Sequence, residues 1–186
     1  MTLDQVPAGS RVFVDSTIFI YHFTRASEDC RRFLERCEKG DLKAATSAVV
    51  LAEVAHRLMT IEAVARGLIS SGNVARRLRA NPDIVKSLEG YQLQVERVPL
   101  MGVEVLPLDL RALLHSYDIR KRHGLLVNDS LAVATAMLAG IRAMATTDAD
   151  FSGVADLDIF APADLKRGWA LGQRVLARGR SSPSRP

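Results

Sequence analysis

The chain has 186 residues, 48% of them hydrophobic and 25% charged, with a formal net charge of +4. That size and balance suit a globular protein with one core, and the first fifteen residues lack the basic start and apolar run of a signal peptide. Six of the 25 cations (Lys166, Arg167, Arg174, Arg178, Arg180, Arg185) follow Asp164 with no acid among them, leaving 19 cations against 21 acids in the first 165 residues: a near-neutral body and a basic tail.

In chain order, residues 11–14 (Arg-Val-Phe-Val) form the short apolar run of a buried parallel strand, ended by Asp15. Residues 16–21 continue apolar and lead into a helix over about 27–39, stopped by Gly40 and Asp41. Cys30 and Cys37 on that helix lie roughly 10 Å apart, too far for a disulfide, and no His or Cys stands near them at zinc spacing. Two unbridged thiols suit a reducing cytoplasm. Residues 42–46 predict a second strand, and Ser47 caps a long helix through Val50, Glu53, Val54 and Leu58.

Further helix follows over 73–100, broken or restarted at Asn81-Pro82. Residues 103–106 predict a strand. Asp109 caps a helix running to about Arg122 and ended by Gly124, and Asn128 or Asp129 begins a helix over 130–138, ended by Gly140. Strands over 141–145 and 156–160 come next, and Pro162 opens a last turn of helix. The most apolar stretch, 125–145, carries Asn128, Asp129 and Arg142, so it is a buried helix and strand rather than a membrane span.

Strands alternating with helices predict an α/β protein, a three-layer α/β/α sandwich with a mainly parallel central sheet. We expect one domain over 1–165 and a basic C-terminal tail over 166–186, partly disordered, in which the use of Trp169 is open. In parallel sheets ligands bind beyond the carboxyl ends of the strands. Asp15 and Asp148 follow strands there, Asp129 heads a helix, and Glu53 lies early in the long helix. Carboxylates in apolar surroundings are unfavourable alone and raise each other's pKa when they converge. A divalent cation held by oxygen ligands resolves both problems. Each acid also has a purely structural reading: strand-end turn for Asp15, solvent-facing helix residue for Glu53, cap for Asp129, turn for Asp148 and Asp150.

Phe-Val-Asp-Ser-Thr at 13–17, Glu53 followed by Val, Asn-Asp-Ser-Leu-Ala-Val-Ala-Thr-Ala at 128–136 and Thr-Thr-Asp-Ala-Asp-Phe at 146–151 resemble, in order and spacing, the motifs of PIN domains. Within them the chain is most similar to VapC-like toxins of prokaryotic toxin–antitoxin pairs. The resemblance spans about 11–165. It implies that Asp15, Glu53, Asp129 and Asp148 are the catalytic metal-binding acids, with Asp150 a further member and Ser16 and Thr146 supporting. It implies Mg2+ or Mn2+ as cofactor, hydrolysis of single-stranded RNA, an antitoxin partner and a homodimer. Thr17 stands where the family often has Asn. Arg120, Lys121 and Arg122 could grip RNA phosphates or could be a solvated helix end. The alternatives are a non-catalytic nucleic-acid-binding PIN module and a nuclease outside a toxin–antitoxin pair, of DNA or of other RNAs. A haloacid-dehalogenase-like phosphatase wants an acid two positions after Asp15, where this chain has Thr17.

Overall fold

In the computed structural model residues 1–165 are described. The basic tail 166–186, with Trp169 and its expected partial disorder, lies outside the described residues. Five strands, β1 (Arg11–Val14), β2 (Lys43–Ser47), β3 (Val103–Leu106), β4 (Ala143–Ala145) and β5 (Asp158–Phe160), form one sheet in the order β3-β2-β1-β4-β5. Every pairing is parallel. Helices flank the sheet, giving the expected α/β/α sandwich. The chain builds outward from β1 to β2 and β3, then returns to the other side of β1 with β4 and β5. The order therefore reverses between β1 and β4, and a crevice opens beyond strand ends at such a reversal.

Side-chain caps set half of the eight α-helix starts among the described residues. Asp15 caps α1 (Ser16–Phe23), Ser27 caps α2 (Glu28–Glu38), Ser47 caps α3 (Ala48–Ala65) and Asp109 caps α7 (Leu110–His123). Gly124, at φ 71°, closes α7 in the left-handed conformation. Between α3 and β3 lie α4 (Val74–Ala80), α5 (Pro82–Lys86) and α6 (Gly90–Leu100), with α8 (Val127–Leu138) between α7 and β4. Phe13, Phe19, Phe33, Phe151, Ile18 and Ile20 anchor the core, each almost wholly buried. A smaller cluster of Ala63, Ile69, Leu78 and Leu88 packs α4 and the loops around it against α3. Cys30 and Cys37 are free and buried, and burial pushes both thiols up to about 12, which keeps them unreactive. No helix among the described residues is long and apolar enough to cross a membrane.

Several expectations are corrected. Residues 16–23 are a helix of their own rather than a lead into the next one, because the Asp15 side chain caps them and a turn with Arg25 at φ 54° separates them from α2. Helix α8 starts at Val127, so Asp129 lies inside its first turn and is not its cap. The last two strands are shorter than expected. Residues 162–165 form no helix, because carboxylates of Asp29 and Asp164 bind their backbone and that of α2 instead.

Candidate active site

The register of β1 against β4 decides what meets what. Val14 pairs with Ala145, and the Asp15 N–H extends that ladder by donating to the Ala145 carbonyl at 3.0 Å. Asp15 and Thr146 thus leave the sheet side by side at the reversal point. The Asp15 carboxylate is 5% exposed, and three hydrogen bonds converge on its Oδ2: from Thr146 Oγ1 at 2.8 Å, Thr17 Oγ1 at 2.8 Å and the Thr17 N–H at 3.4 Å. Burial raises its pKa and these donors hold it back.

The threonines carry the network onward. Thr146 Oγ1 accepts from the Asp148 N–H at 3.0 Å, and Thr17 Oγ1 accepts from the Thr147 N–H at 3.1 Å. Asp148 then caps the short 3-10 turn 149–153, its Oδ1 accepting from the Asp150 N–H at 2.9 Å. The loops after β1 and β4 are locked together through side chains two residues from each acid.

Two further carboxylates arrive from helices. Glu53 lies in the second turn of α3 and is half-buried. Burial raises its pKa first, and the charges of Asp15 and Asp148 add to it. The Ser16 hydroxyl donates to it, and Arg57 one turn on stands 3.9 Å away. Asp129, in the first turn of α8, is pushed up to about 6, by burial first and then by Asp148, Asp15, Glu53 and Asp150. The structure thus brings Asp15, Glu53, Asp129 and Asp148 within electrostatic reach of one another, while Asp150 is exposed at the fringe. A cleft of about 740 Å³ adjoins Thr146, Thr147 and Asp148.

The basic group on α7 divides. Arg120 is partly buried and donates to Ser116 Oγ at 2.9 Å and Ser130 Oγ at 3.0 Å, tying α7 to the residue after Asp129. Lys121 and Arg122 are exposed, Lys121 standing 5.6 Å from the Tyr117 ring centre. Sequence reasoning missed Thr17 as a direct partner of Asp15. The available signal was a hydroxyl two residues after a capping Asp, where it can close a local turn.

Among the described residues no group of three or more His, Cys, Asp or Glu is gathered tightly enough to cage a metal ion. The rim is a set of mutually repelling oxygen donors rather than a finished cage. Such donors fit a hard divalent cation that retains several waters and binds through a few carboxylates.

A doubly wound parallel sheet with carboxylates at its reversal point defines an α/β protein with an acidic site beyond its strand ends. This chain belongs to the PIN domain family, whose profile matches residues 12–157. Among solved structures it is similar to VapBC2 from Rickettsia felis, bound there to a DNA fragment from the promoter, with 15% identity and a TM-score of 0.52 over 81% of this chain and 98% of that one. It is similar also to VapC20 of Mycobacterium tuberculosis, a sarcin-ricin loop cleaving toxin, with 16% identity and a TM-score of 0.52 over 77% and 95%. A toxin–antitoxin complex from Klebsiella pneumoniae matches with 19% identity and a TM-score of 0.50 over 79% and 95%. At these identities the likeness is one of fold. No curated protein sequence gives a significant match.

Proposed function

We propose that this chain is a Mg2+- or Mn2+-dependent endoribonuclease that hydrolyses phosphodiester bonds of single-stranded RNA as the toxin of a toxin–antitoxin pair. The observation that carries this reading is the gathering of four carboxylates, from four separate elements, at the reversal point of a PIN-family sheet. Asp15, Glu53, Asp129 and Asp148 would hold the cation, with Asp150 at its edge. When bound, such an ion neutralises phosphate charge and acidifies water. The protein's own part is positioning. Thr17 and Thr146 fix Asp15, Ser16 orients Glu53, and the Thr146–Asp148 bond fixes the β4 loop. Protons compete with the cation at Asp129, so binding should weaken as pH falls below about 6.

The Rickettsia felis and Klebsiella pneumoniae neighbours support an antitoxin partner. A cationic side chain from that partner, set among the raised carboxylates, would neutralise them and displace the cation. A homodimer is supported by α7, where Leu110, Leu113, Leu114 and Tyr117 recur at helical spacing and are all exposed, with Leu126 at 75% beyond them. Lys121 and Arg122 remain as exposed cations for RNA phosphates. The two free thiols suit the cytoplasm, and residues 1–165 serve as a single domain with 166–186 as its extension.

The test is cleavage of a labelled single-stranded RNA pool with Mg2+, Mn2+ or EDTA, beside Asp15→Asn. Metal-dependent cutting that EDTA abolishes and the variant lowers about 100-fold or more is expected. Cutting that persists in EDTA, or at full rate in the variant, would overturn the reading.

A further inference from the structure

Two cavities meet where α1 gives way to α2, away from the acids. Asp15 caps one end of α1, and His22 lies near the other, roughly 10 Å further along the helix axis. The first cavity, of about 360 Å³, is walled by the apolar side chains of Phe23, Leu58, Ile61 and Tyr91, with Glu62 and Gln94 among them. The second, of about 560 Å³, is lined by His22, Arg25, Arg31 and Arg97. Phe23, Arg25, Ala26 and Gln94 belong to both, so an apolar chamber opens directly into a cationic one.

The charges of the second chamber do not cancel. Arg31 is held by Glu28 and Glu35. Asp164, also on the wall, gives its oxygens to Ser27 Oγ at 2.7 Å and to the N–H groups of Glu28 at 2.7 Å and Asp29 at 3.2 Å. The guanidinium groups of Arg25 and Arg97 have no ion-pair or hydrogen-bond partner among the described residues. Arg25 is set in place by a left-handed backbone, φ 54°, which a residue with a side chain adopts only at a cost. Burial first, and then the charge of Arg97, lower the pKa of His22, so its ring is neutral at neutral pH. The Nδ1 of that ring is buried with no hydrogen-bond partner, an exception in a folded interior that calls for a physical reason.

We propose that the joined cavities are a binding site for a nucleoside phosphate, with its phosphate beside His22, Arg25 and Arg97 and its base in the apolar chamber. Guanidinium groups bind phosphate oxygens in forked pairs. A flat base packs on aromatic and apolar side chains and needs polar groups at its edge. Gln94 supplies both a donor and an acceptor. Glu62 accepts from the Tyr91 N–H at 2.8 Å and from Arg66 at 3.1 Å, and its carboxylate keeps acceptor capacity for a base amino group. The same carboxylate disfavours an acidic peptide, whose own carboxylates would stand beside it. The site lies apart from the rim acids and needs no cleavage activity. A free nucleotide and one unit of an RNA strand offer the same chemistry, and competition tells them apart.

The test is calorimetric titration of the full-length protein in EDTA with AMP, GMP, adenosine and ribose 5-phosphate. Beside it stand the full-length double variant Arg25→Gln with Arg97→Gln, and Asp129→Asn as a rim control. AMP or GMP is expected to bind once per chain, about 10- to 100-fold more tightly than adenosine or ribose 5-phosphate. The arginine variant should lose a similar factor, the rim control should lose none, and the NMR signals of the His22 ring should shift on titration. Absence of binding of both nucleotides at millimolar concentration overturns the proposal. So does binding that the arginine variant keeps, that the rim control abolishes, or that leaves the His22 signals in place. Equal affinity for ribose 5-phosphate overturns it in favour of a plain anion site. A short single-stranded RNA that displaces the nucleotide makes the strand the natural source, and one that does not leaves the free nucleotide. Metal-dependent RNA cleavage without nucleotide binding sinks this proposal alone; nucleotide binding without cleavage sinks only the ribonuclease reading.

Discussion

Replacing Asp129 with Asn separates a carboxylate held under electrostatic tension from one that merely decorates a helix start. Its carboxyl is pushed from 3.8 to about 6, by burial and then by Asp148, Asp15, Glu53 and Asp150. A folded-state pKa above the unfolded one means the folded state binds more protons in between. The associated stability is full below the unfolded value and is lost as pH rises through the folded one, here between about pH 4 and 6. The shift corresponds to about 3 kcal/mol at 1.36 kcal/mol per unit, and screening at this partly exposed group reduces it to on the order of 1.5 kcal/mol. Asn keeps the shape, removes the charge and forfeits about 0.5 kcal/mol of attraction to the α8 N-terminus. The variant should therefore be more stable by about 1 kcal/mol at pH 7.5 without metal, a rise of about 2–4 °C in Tm for a chain of this size. The assay is thermal unfolding by circular dichroism from pH 4.5 to 8 in EDTA, repeated with Mn2+. The gap between the two proteins should open across pH 4 to 6 and stay flat above 7. Mn2+ should raise the wild type's Tm more than the variant's. A variant that melts lower at pH 7.5 in EDTA, or a gap independent of pH, would refute the reasoning.

Thr146→Val removes the donor to Asp15 and the acceptor for the Asp148 N–H while keeping the volume. It should destabilise by about 1–3 kcal/mol and weaken Mn2+ binding by calorimetry about 10- to 100-fold; unchanged Mn2+ affinity would remove Thr146 from the positioning network. Leu114→Asp, on the exposed α7 stripe, should convert dimer to monomer in light scattering without lowering the far-ultraviolet helical signal. A wild type that is monomeric at high concentration sinks the dimer. Gly102→Ala tests the α6–β3 turn, where φ is 71° and an added Cβ would meet the Cys37 carbonyl oxygen at 2.5 Å. Strain of about 1–2 kcal/mol from the left-handed backbone alone should lower Tm by roughly 2–8 °C, and displacement of that carbonyl should lower it further.

The parallel sheet was legible because Arg11–Val14 and its partners are short apolar runs set between capped helices, and those caps depend only on local chemistry. Ser47, Asp109 and Gly124 act where their residue types place them. At 126–129 the strongest capping residues are Asn128 and Asp129, yet α8 begins at Val127 behind Leu126, which offers no side-chain cap, and the buried run of the helix begins only at Ser130. At Pro162 a helix-start signal yields to the Asp29–Asp164 exchange, whose partners lie more than 130 residues apart. The link from Thr17 to Thr147, unlike its local bond to Asp15, was equally hidden. It depends on β1 and β4 being neighbours in a register that sets Val14 beside Ala145, and no local pattern encodes that pairing.

Three of the four rim acids also have an ordinary structural position: Asp15 caps α1, Asp148 caps the turn after β4, and Asp129 lies in the first turn of α8. Those positions alone do not account for what surrounds them. A cap needs an oxygen, and Ser or Asn supplies it without a charge. At Asp15 the charge brings a desolvation penalty that three hydrogen bonds offset only in part, since its pKa stays raised. At Glu53 there is no cap to make, and its pKa is raised too, by burial first and then by the charges of Asp15 and Asp148. The folded state disfavours the charge of Asp15, Glu53 and Asp129, and at Glu53 and Asp129 the neighbouring acids add to the effect of burial. A shared cationic ligand, as proposed above, would make this convergence favourable.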